Sequence, residues 1–225
     1  MSIDPLSDDK IVESWHKNAR PWVSAVRDQK IESRKLVTNQ AIVEAVISRS
    51  PLSALDIGCG EGWLARELAE YGVQVTGVDV VPDLIEQAKR AGGGEFRVAS
   101  YEDIAAGKLD VQVDAVIANF SLIGKESVEG MLRRAPSLLS DGGALFIQTL
   151  HPVTACGELP YTDGWREGSW AGFDNTFSDP APWYFRTMES WLQLISETGF
   201  QTVETREPSH PATGRPASVI FIAQL

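Results

Sequence analysis

Only two cysteines, Cys59 and Cys156, and only three histidines occur in 225 residues. A disulfide-built scaffold is excluded, two free thiols are expected, and the histidines show no zinc-ligand spacing, so no metal is expected. Basic residues are also scarce, with 20 Lys and Arg against 31 Asp and Glu and a net charge of −11. Basic residues adjoin only in pairs such as Arg133-Arg134, so the overall field repels phosphate backbones and anionic lipid; nucleic acid and membrane are excluded as partners. Apolar runs such as residues 144–147 and 219–223 fall far short of the roughly 18 residues a membrane span needs. Residues 1–5 carry neither a basic nor an apolar leader pattern, and a cytoplasmic protein is expected. No internal repeat or low-complexity tract appears.

What is present is a change of rhythm near residue 50. Residues 1–50 are expected to be helical, an N-terminal lid in which Pro21 separates a first segment, 7–19, from a later one carrying Leu36, Val43, Val46 and Ile47 at helical spacing. From Ala54 onward, short apolar runs alternate with amphipathic stretches, the pattern of βα units on a parallel sheet. Strands are expected at 54–57, 73–78, 96–98, 113–118 and 144–150, with two more at 202–207 and 218–223. Helices are expected after Gly62, from Pro82 to the Gly92–Gly94 stop, and over 126–139 ahead of the Asp141-Gly142-Gly143 turn. Residues 151–187 interrupt the rhythm with Pro, Gly and many aromatics, forming an insertion in a main unit of residues 51–225; loops of this length are usually functional or disordered.

The sharpest motif is Leu55-Asp56-Ile57-Gly58-Cys59-Gly60-Glu61-Gly62, where an apolar strand runs into alternate glycines and then a helix. Such a turn lets a nucleoside lie against bare backbone at a helix N-terminus. Asp79, 21 residues after Gly58 at the end of the second strand, suits the two hydroxyls of a ribose. A dinucleotide fingerprint would need its third glycine at position 63, which is Trp, and Glu61 would face a pyrophosphate. An NAD-dependent oxidoreductase is therefore the weaker alternative.

This segment resembles the first motif of the class I S-adenosylmethionine-dependent methyltransferases of small-molecule type. The resemblance continues through 75–80, 100–103, 113–121 and 138–143. It implies an α/β, Rossmann-like, doubly wound sheet of seven mostly parallel strands, with an antiparallel last strand. It also implies S-adenosyl-L-methionine as cofactor. Carried over residue by residue, it assigns cofactor contacts to Asp56, Gly58, Cys59, Gly60, Gly62, Asp79 and Val80. Tyr101, with Glu102 or Asp103, then meets the adenine, and Asn119 and Phe120 lie beside the cofactor. The stretch around Trp15 resembles the family's entry helix, with Arg34 placed to pair with the cofactor carboxylate.

The acceptor has to be inferred from elsewhere. Asn119-Phe120-Ser121 lacks the prolines that accompany nucleobase amines in the family, and no cluster of hard oxygen ligands suggests a metal-assisted route. His151 follows the fifth strand and His210 joins the last two strands, so both are expected at the active edge as candidate bases for an oxygen acceptor, with carbon or nitrogen close behind. Trp15, Tyr161, Trp183 and Tyr184 are expected to box a flat small-molecule substrate. The insertion's alternative role is packing, against the sheet or against a second copy in a homodimer. A non-catalytic module that only binds S-adenosylmethionine or S-adenosylhomocysteine is the other reading; it differs in turnover alone.

Overall fold

The computed structural model describes residues 3–225. Its centre is a seven-stranded sheet in the order β3-β2-β1-β4-β5-β9-β8. Strands β1 (Ser53–Ile57), β2 (Gln74–Asp79), β3 (Glu95–Val98), β4 (Val113–Asn119) and β5 (Leu139–Thr149) pair in parallel. β9 (Val219–Gln224) inserts antiparallel between β5 and β8 (Thr202–Arg206). The chain order reverses between β1 and β4, which opens a crevice at the carboxyl ends of these two strands.

Alternation along the strands divides the core into two layers. Leu55, Ile57, Val116, Leu145 and Ile147 face one cluster, completed by Met131 and Leu132 of α6 (Glu126–Arg134) and by Trp191 and Ile195 of α8 (Met188–Glu197). Ala54, Ala115, Ile117, Phe146 and Ile220 face the other. That layer is closed by Ile42 and Val46 of α2 (Asn39–Ile47), Leu64 and Leu68 of α3 (Trp63–Ala69), and Ile85 and Ala88 of α4 (Pro82–Ala91). Both faces of a parallel sheet must be covered in this way, because its strands are apolar on both sides.

Several sequence expectations change. α1 runs unbroken from Asp8 to Arg27 with Pro21 inside it. A proline removes one backbone bond, but Ala19, Trp15, Trp22 and Val23 on either side pack with Val81 and Leu84, and this packing outweighs the lost bond. A π-helical turn, Arg34–Thr38, precedes α2. β5 begins at Leu139, with a register irregularity against β4 where Asp141-Gly142-Gly143 was expected to be a separate turn. The insertion is ordered: it contains α7 (Pro152–Ala155) and a hairpin of β6 (Gly164–Arg166) with β7 (Trp183–Phe185). The short α5 (Tyr101–Ala105) is set by a capping box between Ser100 and Asp103. No helix among the described residues is long and apolar enough to cross a membrane.

Candidate active site

A cavity of about 550 Å³ opens at the carboxyl ends of β1, β2 and β4, within the size range of small-molecule and cofactor sites. Its floor is the glycine turn. Gly58 and Gly60 hold φ of +73° and +57°. A Cβ on Gly58 would collide with Ser121, whereas one on Gly60 would point toward the cavity, 3.6 Å from Trp22 Nε1. The first glycine therefore lets two loops touch, and the second keeps the floor bare for a ligand.

Asp79 closes the end of β2. The Gly60 and Val81 N–H groups each donate to one of its carboxylate oxygens at 2.9 Å. Burial raises its pKa and these two bonds oppose the rise, so the carboxylate sits deep, is held at both oxygens and keeps lone pairs for further donors. Asp56, on β1 two residues before Gly58, is buried and does not line the cavity. Burial, with Asp79 nearby, pushes its pKa up to about 7, and its Oδ1 has no hydrogen-bond partner.

The opposite charge comes from Arg34 on the π-helical turn. Its guanidinium stacks 4.7 Å from the Trp63 ring centroid and 5.7 Å from that of Trp22, while Nε donates to Asn39 Oδ1 at 3.1 Å. Burial lowers its pKa to about 10, which leaves it charged at neutral pH, and Nη2 is buried without a partner. A cation and a carboxylate, both short of partners beside one glycine turn, match the carboxylate and ammonium of an amino-acid tail.

The roof is α1, which lines the cavity through Trp15, His16 and Trp22. Trp15 and Trp22, two helical turns apart, meet edge to face at 5.0 Å. Two ties hold the helix in place. At its start, the Lys125 and Ser127 N–H groups at the head of α6 donate to the Asp8 carboxylate at 2.8 and 2.7 Å. At its end, Arg27 Nε donates at 2.8 Å to Glu61, whose fully buried carboxylate also takes Arg66 Nη2 at 2.6 Å. Glu61 is thus neutralised by two arginines and presents no free charge to a phosphate, which corrects the role expected from sequence.

The other expected residues divide as follows. Cys59, Val80, Tyr101 and Glu102 line the cavity, as do Asn119 and Phe120. The Tyr101 hydroxyl donates to the Ser121 carbonyl at 2.8 Å, and burial raises its pKa. Phe120 holds φ of +52°, a backbone conformation that costs a bulky side chain energy and is found mainly at functional positions. Gly62 packs on Phe96 below the cavity. Asp103 is turned away, occupied by the capping box and by Lys108 Nζ at 2.7 Å, so Glu102 is the acid at that end.

The insertion does not border the cavity. The Tyr161 hydroxyl accepts from the Met188 N–H at 2.9 Å and its ring meets Phe185; Trp183 also packs on Phe185. Tyr184 lies under the guanidinium of Arg186 and against Trp165. Of the four residues expected to box a substrate, only Trp15 lines the cavity; Tyr161, Trp183 and Tyr184 pack on one another's neighbours in and beside the hairpin. Neither expected base lines the cavity. His210 is held in a tight turn, its Nδ1 accepting from the Ala212 N–H at 3.2 Å. His151 is buried at the end of β5 with both ring nitrogens unpartnered and Nε2 3.6 Å from Glu207 Oε2. Trp22 closes the stretch that resembles the entry helix and lines the cavity; Trp63 also lines it and was not expected there, although its place directly after the turn was an available signal.

Residues 34–205 match the family described as "Methyltransferase domain", and the chain belongs to it. Curated relatives include the ubiquinone biosynthesis O-methyltransferases of Xanthomonas oryzae pv. oryzae and Xanthomonas axonopodis pv. citri. They are 34% and 35% identical over 118 residues, half of this chain and 49% of each relative. The chain thus spans about half the length of the curated relatives it matches. A methyltransferase from Mesorhizobium loti superposes with a TM-score of 0.62 at 21% identity, covering 82% of this chain and 96% of its own. A DhpI–SAM–HEP complex covers both chains completely, with a TM-score of 0.67 at 16% identity. These likenesses support the fold.

Proposed function

We propose that the cavity seats S-adenosylmethionine lengthwise along the strand ends and that the enzyme methylates the oxygen of a small molecule. The observation that carries the cofactor assignment is the pair of buried, unpartnered atoms Arg34 Nη2 and Asp56 Oδ1 beside the glycine turn. Arg34 would take the cofactor carboxylate and Asp56, with Asn119, the ammonium. Asp79 would accept from the ribose hydroxyls, and Tyr101 and Glu102 would border the adenine. The bound cofactor supplies an electrophilic methyl group, so this chain's task is alignment and exclusion of water. Trp15 and Trp22 on α1 perform the exclusion.

Oxygen as the accepting atom is supported by the curated relatives, which are O-methyltransferases. Two buried free thiols suit a reducing, cytoplasmic setting. Calorimetry with S-adenosylhomocysteine and with NAD tests the cofactor: binding of the first and none of the second is expected. Methyl transfer from labelled cofactor across a panel of phenols and alcohols separates an enzyme acting on hydroxyls from a module that only binds.

A further inference from the structure

The connection from β4 into the first turn of α6 forms one wall of the cavity, through Phe120, Ser121, Ile123, Gly124 and Ser127. It begins in strain, since Phe120 holds φ of +52°, and such a conformation persists only where the surroundings over-determine it. The start of the segment is fixed at the sheet. The Phe120 N–H donates to the Gln148 carbonyl at 2.8 Å, Ser121 Oγ donates to the Ile57 carbonyl at 2.7 Å, and the Tyr101 hydroxyl donates to the Ser121 carbonyl at 2.8 Å.

Beyond Ser121 the backbone groups are taken by two distant parts of the chain. The carbonyls go to the insertion. The Tyr184 N–H donates to the Ile123 carbonyl at 2.7 Å, and Arg186 donates through Nη1 to the Gly124 carbonyl at 2.8 Å and through Nη2 to the Lys125 carbonyl at 3.3 Å. The amides go to α1, whose Asp8 carboxylate accepts from Lys125 and Ser127. Arg186 is only 3% exposed. Its guanidinium lies 4.8 Å from the Tyr184 ring centroid and 5.1 Å from that of Trp191, with Nη2 3.5 Å from Glu129 Oε1. Burying a cation is costly, and an apolar side chain of similar length would meet the same two rings. What the guanidinium adds is a rigid fork that spans two successive carbonyls.

We propose that Arg186 is a positioning residue: without lining the cavity itself, it grips the 124–125 backbone opposite Asp8 and so holds Phe120 in its strained pose beside the cofactor. The insertion, which does not border the cavity, thus acts on it through the loop it holds. The inference rests on the reading that the cofactor lies in this cavity with Phe120 at its side.

Three variants test it, by calorimetry with S-adenosylhomocysteine and by hydrogen exchange of the ligand-free protein. Arg186→Met removes the fork and keeps a long side chain. It is expected to weaken S-adenosylhomocysteine about tenfold, the order of one hydrogen bond to a charged group, and to speed exchange in residues 120–127 while β1 and β2 exchange as in the parent. Arg186→Lys keeps the charge but replaces the fork by a point donor, so affinity is expected to recover to within about threefold of the parent while exchange in 120–127 stays faster. Arg166→Met is the matched control. That arginine stacks on Phe185 and donates to the carbonyls of Pro160 and Thr162, all within the insertion, and its loss is expected to change neither affinity nor loop exchange. Parental affinity or parental loop exchange in Arg186→Met, no recovery in Arg186→Lys, or an equal loss in Arg166→Met would each overturn the assignment. If Arg186→Met fails to fold, loop exchange in Arg186→Lys decides, and a parental rate there overturns it. Absence of S-adenosylhomocysteine binding by the unmutated chain would instead defeat the cofactor reading, and loop exchange would still test the grip of Arg186.

Discussion

α1 and the 151–187 insertion both carry aromatics, and both were expected over the active edge, yet only α1 reaches the cavity. Trp15 and Trp22 line the cavity on one side and are backed on the other by Trp170 and Phe173 of the insertion, at 5.9 and 6.5 Å. Trp170, Phe173 and Phe177 then pack on one another. The polar contacts repeat this layering. Asn18 Nδ2 donates to the Ser178 carbonyl at 2.7 Å, and Asp179 takes Lys10 at 2.7 Å and Lys17 at 2.5 Å. The insertion is therefore an outer strap over a roof. Aromatic content identifies a cluster, and it does not say whether a ligand or other aromatics complete it.

The largest expected effect lies beneath α1. Gly60→Val should lower S-adenosylhomocysteine affinity by more than 100-fold in calorimetry, because a branched side chain opposes φ of +57° and fills the space below Trp22. An unchanged affinity would remove the floor of the site. Asp79→Ala follows, with an expected loss of about 1.5–3 kcal/mol, the range for hydrogen bonds to a charged acceptor. Equal affinity for ribose and 2′-deoxyribose forms of the cofactor would count against that role.

The layering itself is tested by a matched pair. Trp22→Ala should weaken S-adenosylhomocysteine by about tenfold, consistent with about 1–2 kcal/mol for a partly desolvated cation–π contact to Arg34. Trp183→Ala, in the hairpin, should leave that affinity unchanged. If both behave alike, the contrast between roof and strap is lost.

Asp56 predicts a pH effect. Its folded pKa of about 7 lies above its unfolded value of about 3.8, so the folded chain holds a proton that the unfolded chain releases. Its contribution to stability is therefore fully present below about pH 4 and is lost as pH rises to 7, with a slope of at most about 1.4 kcal/mol per pH unit. Melting the ligand-free protein beside Asp56→Asn should show this decline in the parent only. The smallest effect is expected for Asp179→Ala. Hydrogen exchange should speed up across residues 8–27, where the strap no longer grips α1, with cofactor affinity nearly unchanged. Exchange that rises at the glycine turn but not in α1 would contradict the strap.

Local chemistry made much of the molecule readable in advance. The alternating glycines, the Asp79 spacing, the apolar runs and Pro82 with its Leu84-Ile85-Ala88 stripe are all short-range signals, and most of the strands, α4 and the floor of the cavity follow from them. Arg34 was legible only through the resemblance, since nothing in its neighbours announces that Trp22 and Trp63 will enclose it. Asp103 was misplaced because a capping box competes for the same carboxylate, and the competition is settled by the backbone of α5.

What the sequence by itself determined is the periodicity: which residues face the core, where the chain must turn left-handed, and where an acid ends β2. What only the tertiary structure decided is which polar atoms are left without partners. Asp56, Asn119 and Gln148 lie far apart in the sequence and come together because parallel pairing brings three strand ends side by side. The two buried histidine nitrogens of His151, and the aromatics that satisfy one another in the hairpin, belong to the same class of fact. Pairing depends on distant segments competing for the same neighbours, and no local window of sequence contains that competition.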